Sequence, residues 1–237
     1  MSFLKASWEN LILANYLINP SILIKYVPKG TELDTWNGNC YISLVGFMFK
    51  NTRLLGFKVP FHINFEEVNL RFYVKRKEGE KWKRGVVFIK EYVPKRALSF
   101  VANTIYNEHY QTVPMNNKFI KNENSLTVAY QFEIDNDRYS MEVNADKECL
   151  PIKKDSETEF ITEHYWGYAK VNNNKTNEYE VTHPRWVHYK LTSYSINVDF
   201  NKVYGKEFSF LNNLSPHSVI LAKGSNITVE KRKKICF

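Results

Sequence analysis

Cysteine is scarce in this chain: Cys40, Cys149 and Cys236 are its three, and they stand far apart. An odd number at such spacing excludes a disulfide framework and any CxxC metal or redox motif, so the thiols read as reduced and structural. The sequons at Asn174, Asn213 and Asn226 then carry little weight, because glycosylation needs a secreted protein. No apolar run approaches the ~20 residues of a membrane span. Residues 1–9 lack the charged-then-apolar layout of a signal peptide, and a cytoplasmic protein with no membrane partner is expected. GxSxG, P-loop and GxGxxG sequences are missing, which removes the motif on which a serine hydrolase, an NTPase or a dinucleotide enzyme would rest. The six histidines, at positions 62, 109, 164, 183, 188 and 217, form no HxH or HExxH pair. Neither a metal nor a cofactor is expected. Repeats, heptads and linkers are missing too, so residues 1–237 are expected to form one domain.

What is present is an ordinary globular composition, 43% hydrophobic and 24% charged over 237 residues. At that size roughly 70–75% of the unfolded surface should be buried. The net charge of +8 raises the question of an anionic partner. The cations gather at Lys75-Arg76-Lys77 and Lys81-Trp82-Lys83-Arg84, on either side of a hairpin tip, and at Lys231-Arg232-Lys233-Lys234 in a C-terminal tail. Such tips and tails are ordinarily solvated surface that blunts sheet edges. No recognition motif accompanies the charge, so nucleic acid is not an expected partner, and binding through the tip would fall steeply with salt.

Predicted strands cover 8–16, 32–35, 40–50, 65–74, 85–93, 110–119, 126–133, 138–144, 166–170, 179–182 and 187–198, with a last hairpin of 219–222 and 227–232 about Lys223-Gly224-Ser225. Asn37-Gly38 predicts a type I′ hairpin turn between 32–35 and 40–50. Asn19-Pro20 starts a helix through 21–26, and Pro94 opens another on Leu98, Val101, Ala102 and Ile105. Ser156-Glu157-Thr158-Glu159 is a capping box for a helix over 157–165, and Asp199 caps a helical turn through Tyr204. Residues 51–64 read as a loop long enough to fold over something, and 171–178 as a mobile one. Short strands outnumber helices, which argues for an α+β, mainly antiparallel sheet that curls or closes.

One strand, 65–74, organises the rest. Glu67, Asn69, Arg71 and Tyr73 point one way, and Val68, Leu70, Phe72 and Val74 the other. The polar row reads equally as the wet face of a half-exposed strand or as the lining of an internal pocket. On the strand that pairs with it, Val87, Ile89, Glu91 and Val93 are expected to share a face, with Lys90 on the other beside Phe88.

A family resemblance is carried by Trp8-Glu9 with Tyr16, Pro28-Lys29-Gly30-Thr31-Glu32-Leu33-Asp34, Val45-Gly46-Phe47 and residues 65–74. It continues through Gly85-Val86-Val87-Phe88, Phe160-Ile161-Thr162-Glu163-His164-Tyr165-Trp166 and His183-Pro184-Arg185-Trp186. Over residues 8–232 the chain resembles the YqjF-like family of uncharacterised bacterial proteins, which is similar to the acetoacetate decarboxylase-like superfamily. The resemblance implies a cone-shaped, closed or partly closed β-barrel with a few short peripheral helices. It also implies a small organic acid or carbonyl ligand inside. Decarboxylases of that superfamily carry paired lysines after a short helix and turn, one of them forming a Schiff base once its pKa is depressed. Those positions fall on His109 and Tyr110, and neither forms an imine. The superfamily's carboxylate-bearing strand resembles 65–74, with Glu67 nearest to its acid. Lys90, the one lysine on a predicted central strand, reads as ion-paired or exposed.

The candidate ligand-binding residues are therefore Glu67, Asn69, Arg71, His109 and Tyr110. Glu67 and Arg71 would bind and polarise an oxygenated ligand, or would form an ordinary surface ion pair. Glu108 and His109 offer acid–base groups, His titrating near neutrality, but neighbours in an extended run face opposite ways, so at most one faces a given pocket. Tyr165 and Trp166 read as packing and His183 as a loop hydrogen-bonder. The leading expectation is a small-molecule-binding protein without Schiff-base chemistry. The alternative is an enzyme using Glu67 and His109 as acid and base on a carbonyl substrate. The sequence fixes no oligomeric state.

Overall fold

Strands dominate because runs of β-branched and aromatic residues are punctuated by asparagine, glycine and proline. The structure, a computed structural model, describes residues 2–96, 99, 103, 104 and 107–237. In chain order it contains β1 (Leu4–Leu17), helix α1 (Pro20–Leu23), β2 (Glu32–Leu33), β3 (Tyr41–Leu54), β4 (Phe65–Glu78), β5 (Lys81–Val93) and β6 (Tyr110–Thr112). There follow β7 (Met115–Lys121), β8 (Ser125–Ile134), β9 (Asp137–Pro151), α2 (Glu157–Thr162), β10 (Trp166–Asn172) and β11 (Lys175–Thr182). The chain ends with β12 (Val187–Asn197), α3 (Phe200–Tyr204), β13 (Ser218–Val229) and β14 (Lys233–Cys236). The expected helix on Leu98, Val101, Ala102 and Ile105 lies outside the described residues.

Pairing is antiparallel except where β5 meets β10 and β6. The hydrogen-bonded path runs β14-β11-β10-β5-β4-β3-β1-β13-β12-β9-β8-β7. It closes on itself, because β11 also pairs with β13, Val181 opposite Val229 and Thr182 opposite Thr228. Strands β13, β1, β3, β4, β5, β10 and β11 therefore form a closed ring, and β12, β9, β8 and β7 extend from it as a second layer. Both faces of the ring's strands are covered. Val68, Leu70 and Phe72 of β4 pack with Val128, Phe132 and Met141 between the layers. Phe47, Phe65 and Tyr73 belong to a separate inner cluster. Each such side chain contributes about 1.5–3 kcal/mol by leaving water.

The short helices sit where local chemistry puts them. Asn19 Oδ1 accepts from Ser21 N at 3.0 Å, Ser156 Oγ from Glu159 N at 3.2 Å, and Asp199 Oδ1 from Asn201 N at 3.0 Å. Longer-range expectations fare differently. Asn37 and Gly38 turn with φ of 49° and 80°, as a type I′ turn requires, but only a Trp36–Asn39 bridge closes on them. Both edges of β3 are taken by β1 and β4, so β2 pairs with β4 instead. The expected hairpin about Lys223-Gly224-Ser225 is one continuous strand, β13, paired along β1. Gly224 is required there by close approach: its φ is +81°, and a Cβ would lie 2.0 Å from the Trp8 carbonyl oxygen. Pro114, lacking an N–H, splits the expected strand 110–119 into β6 and β7, which pair with different neighbours. The expected mobile loop 171–178 is mostly strand, with Thr176, Asn177 and Glu178 buried. The basic tail forms β14 on the edge of β11.

Candidate ligand-binding site

The polar row of β4 faces the inside of the ring. Glu67, Asn69 and Arg71 are 2%, 1% and 8% exposed, so the solvent-face alternative is excluded. Polar groups so placed are costly unless hydrogen-bonded. Glu67 is: Asn69 Nδ2 donates to its Oε1 at 2.8 Å, and Tyr110 Oη donates to its Oε2 at 3.0 Å.

A β-bulge on β5 decides which charged side chain joins them. Leu70 pairs with Lys90 but Arg71 pairs with Phe88, leaving Ile89 as the extra residue. Alternation therefore slips by one. Val86 and Phe88 face the cavity before the bulge, and Glu91 faces it afterwards, directly across from Asn69. This corrects the expected grouping of Glu91 with Val87 and Ile89, which instead pack outward. Lys90 turns outward as well, where its Nζ donates to the Val203 carbonyl at 3.0 Å, a bond that Tyr92 Oη shares at 2.6 Å. Among the described residues it has no ion-pair partner, it is only partly exposed, and burial lowers its pKa.

The chain leaving the undescribed segment supplies a third acid. Glu108 is buried in the cavity wall, and Tyr179 Oη donates to its Oε1 at 2.9 Å. Gly167 makes room for that phenol, since a Cβ there would lie 2.1 Å from Tyr179 Cζ. Tyr110 lies on the same side as Glu108, as period-two geometry demands, and His109 therefore points out. His109 is exposed and contributes only its backbone carbonyl, which accepts from Glu91 N at 3.1 Å. The expected Glu67–His109 pair is thus corrected: the acid at 108, not the histidine at 109, meets Glu67 in one cavity.

Toward Tyr73 stands a group that sequence reasoning did not single out as a site. His164 Nε2 donates to Asp34 Oδ2 at 3.2 Å, and Arg84 Nε donates to the same oxygen at 2.6 Å. Burial would raise the Asp34 pKa, but these two bonds outweigh it and hold the group below its usual range. Burial lowers His164 to about 4, so its ring is neutral with the proton on Nε2. Asp34 and His164 are 130 positions apart, and no spacing rule would have joined them. Acid groups at the other end move oppositely. Burial pushes Glu67 up to about 7, against the pull of Asn69, Tyr110 and Arg71. Burial, then the Glu67 charge, takes Glu108 to about 8, and Glu91 rises well above its ordinary value through burial and its two acidic neighbours.

Glu67, Asn69, Arg71, Glu91, Glu108, Tyr110 and His164 share one cavity of about 200 Å³, lined by all seven strands of the ring, with Asp34 and Arg84 behind His164. That is many times the roughly 10–15 Å³ needed by one water on the same measure. Its walls are largely apolar and rich in aromatic side chains, with Trp8, Phe47, Phe49, Phe65, Phe88 and Trp166 among them. Thr52, Leu54, Val59 and His62 line it as well, so part of the region expected as a covering loop does border the cavity, although β3 runs on to Leu54. Six buried polar atoms in this lining have no hydrogen-bond partner among the described residues: Trp8 Nε1, Thr52 Oγ1, Asn69 Oδ1, Arg71 Nε, Glu91 Oε2 and His164 Nδ1. The described residues contain no cluster of acids, histidines and cysteines able to hold a metal.

A family of uncharacterized conserved proteins, DUF2071, matches residues 5–226. The chain belongs to that family. Among its relatives, the uncharacterized protein YqjF of Bacillus subtilis (strain 168) is 28% identical over 188 residues, covering 78% of this chain and 74% of YqjF. Solved structures share the fold at low identity. An acetoacetate decarboxylase from Legionella pneumophila is 10% identical with a TM-score of 0.65, covering 98% of this chain and 87% of that one. The enduracididine biosynthesis enzyme MppR, complexed with pyruvate, is 11% identical with a TM-score of 0.67, covering 98% and 89%. An acetoacetate decarboxylase-like enzyme from Sphingomonas wittichii RW1 is 7% identical with a TM-score of 0.66, covering 100% and 94%. The DUF2071 chain thus has the decarboxylase-like fold. No described helix is long and apolar enough to cross a membrane.

Proposed function

We propose that this protein binds a small organic acid or carbonyl compound inside the ring, without a Schiff-base lysine. The observation that carries the reading is the buried row Glu67, Asn69 and Arg71, which lines an aromatic cavity together with unpartnered polar atoms. Arg71 would take a carboxylate or carbonyl oxygen, and the Glu67–Tyr110 pair would donate or accept a hydrogen bond at the other end. The ring is read as the cone-shaped barrel implied by the family resemblance, a reading its closure supports. MppR is described with pyruvate, a small keto acid, and we extend that ligand class to this cavity.

No lysine lines the cavity among the described residues, the eight undescribed residues include none, and the β5 bulge holds Lys90 outside. That supports binding, or chemistry, without an imine. An enzymatic role in which Glu67 moves a proton is favoured by one observation, the Tyr110 phenol 3.0 Å from its buried carboxyl, where burial pushes the pKa up to about 7. The basic tip offers less to nucleic acid than its sequence implies. Arg76 and Lys83 both pair with buried Glu178, at 2.9 and 3.1 Å.

A thermal-shift screen against small keto acids, hydroxy acids and aldehydes tests the reading. A ligand at about 100 times its Kd adds roughly 2.7 kcal/mol, which is several degrees. A shift confined to one chemical class and lost in Arg71→Ala is the expected result. No shift with any of them would remove the proposal.

A further inference from the structure

We propose that the ligand carries a cationic nitrogen, an ammonium or guanidinium, in addition to its carbonyl or carboxylate, with the cation among Glu67, Glu91 and Glu108 and the oxygenated end at Arg71. This rests on the reading of the cavity as a ligand site. Charge balance is the first reason. Three carboxyl groups meet one guanidinium, and the described lining holds no lysine and no other arginine. The undescribed positions, 1, 97, 98, 100–102, 105 and 106, carry no charged side chain. A ligand that is only an acid would satisfy Arg71 and bring a negative charge beside three carboxyl groups that ionise only against burial and one another's charge. A ligand with a cation at one end removes that repulsion.

The second reason is independent of the acids. Asn69 Oδ1 and Arg71 Nε lack partners among the described residues, on side chains of residues 1% and 8% exposed. Asn69 Oδ1 can only accept, and so calls for an N–H or O–H, and the unpartnered Glu91 Oε2 beside it accepts whenever its carboxyl is ionised. Arg71 Nε can only donate, and so calls for an oxygen. Glu91 and Asn69 face each other across the β4–β5 pair, and Arg71 lies two residues farther along β4. The two demands are therefore offset by about 7 Å, a span that one short-chain molecule bridges. Phe65, Phe88, Tyr110, Tyr179 and Trp166 complete the wall, and aromatic faces attract a cation.

Proton linkage gives the inference its own signature. The groups that face the acids are the Tyr110 and Tyr179 hydroxyls, Asn69 and Arg71, with His164 farther along the lining. Without a cation, burial raises the pKa of both Glu91 and Glu108, the latter to about 8, which favours their uncharged forms. A bound cation favours the charged form, so binding releases protons to the buffer.

Isothermal titration with matched pairs tests this: levulinate against 5-aminolevulinate, butyrate against 4-aminobutyrate, and 4-acetamidobutyrate against 4-guanidinobutyrate. In at least one pair the cationic member should bind ten-fold or more tightly, with a heat that changes with the buffer's ionisation enthalpy. Glu91→Gln and Glu108→Gln should lower the affinity of the member that carries the cation by more than that of the member without it, and so abolish the preference. Those variants should fold, since glutamine keeps the acceptor and removes a buried acid, and unchanged circular dichroism checks it. Equal or tighter binding of the members without the cation overturns the cationic subsite and leaves the organic-acid reading standing. No binding by either member of any pair overturns both.

Discussion

Glu108→Gln should stabilise the protein at alkaline pH and change little in mild acid. Tyr179 Oη donates to Glu108 Oε1 at 2.9 Å, and a glutamine carbonyl accepts the same bond. What the substitution removes is a carboxyl whose pKa burial, and then the Glu67 charge, push to about 8. In the unfolded chain that proton leaves at about pH 4.3. Between those two values the native state binds more protons than the unfolded state, so stability falls as pH rises and levels off beyond the folded pKa. At ~1.4 kcal/mol per unit the ceiling for one group is about 5 kcal/mol. Water entering the cavity, and protons shared with Glu67 and Glu91, reduce the expected gain to about 2–3 kcal/mol. Urea unfolding of both proteins at about pH 5 and about pH 9 reads it as a shift in midpoint at constant slope. His164, lowered to about 4 by burial, loses stability in the opposite direction as acid is added, but equally in both proteins. A variant that gains no stability over the wild type between about pH 5 and about pH 9, or is less stable than it at the higher pH, would refute a buried, proton-holding acid at position 108.

Gly224→Ala should cost about 2–4 kcal/mol in urea or thermal unfolding, because a positive φ and a backbone oxygen both oppose the new Cβ. A smaller loss would mean that β1 and β13 are not held in this register. His109→Ala should leave ligand-induced thermal shifts unchanged and move stability by no more than about 0.5 kcal/mol, as expected of an exposed side chain. Loss of a shift would return His109 to the site. Borohydride reduction in the presence of pyruvate should leave Lys90 unmodified by mass spectrometry, since its amine is turned out to the Val203 carbonyl. An adduct on Lys90 would contradict the bulge.

Residues close in sequence determined what lies close in space. The Asn19, Ser156 and Asp199 caps, the Asn37-Gly38 turn and the alternation of β4 were legible because each needs a few neighbouring residues and one backbone geometry. The β4 row, Glu67, Asn69 and Arg71, was therefore available from sequence, and so was its ambiguity: alternation says that two faces differ, not what covers them. The tertiary structure decided the rest. Closure of the ring through β11 and β13 puts the polar row inside, and the second layer buries the apolar face. A single extra residue, Ile89, exchanges Glu91 for Lys90 in the cavity, and a bulge depends on the partner strand's register rather than on its own sequence. Glu108 replaces His109 because the start of β6 is aligned by its parallel pairing with β5. Gly224 reads as a turn until β1 is laid against it. Asp34 and His164 meet only because strands far apart in the chain bring them together, and contacts of that kind leave no periodic trace in the sequence.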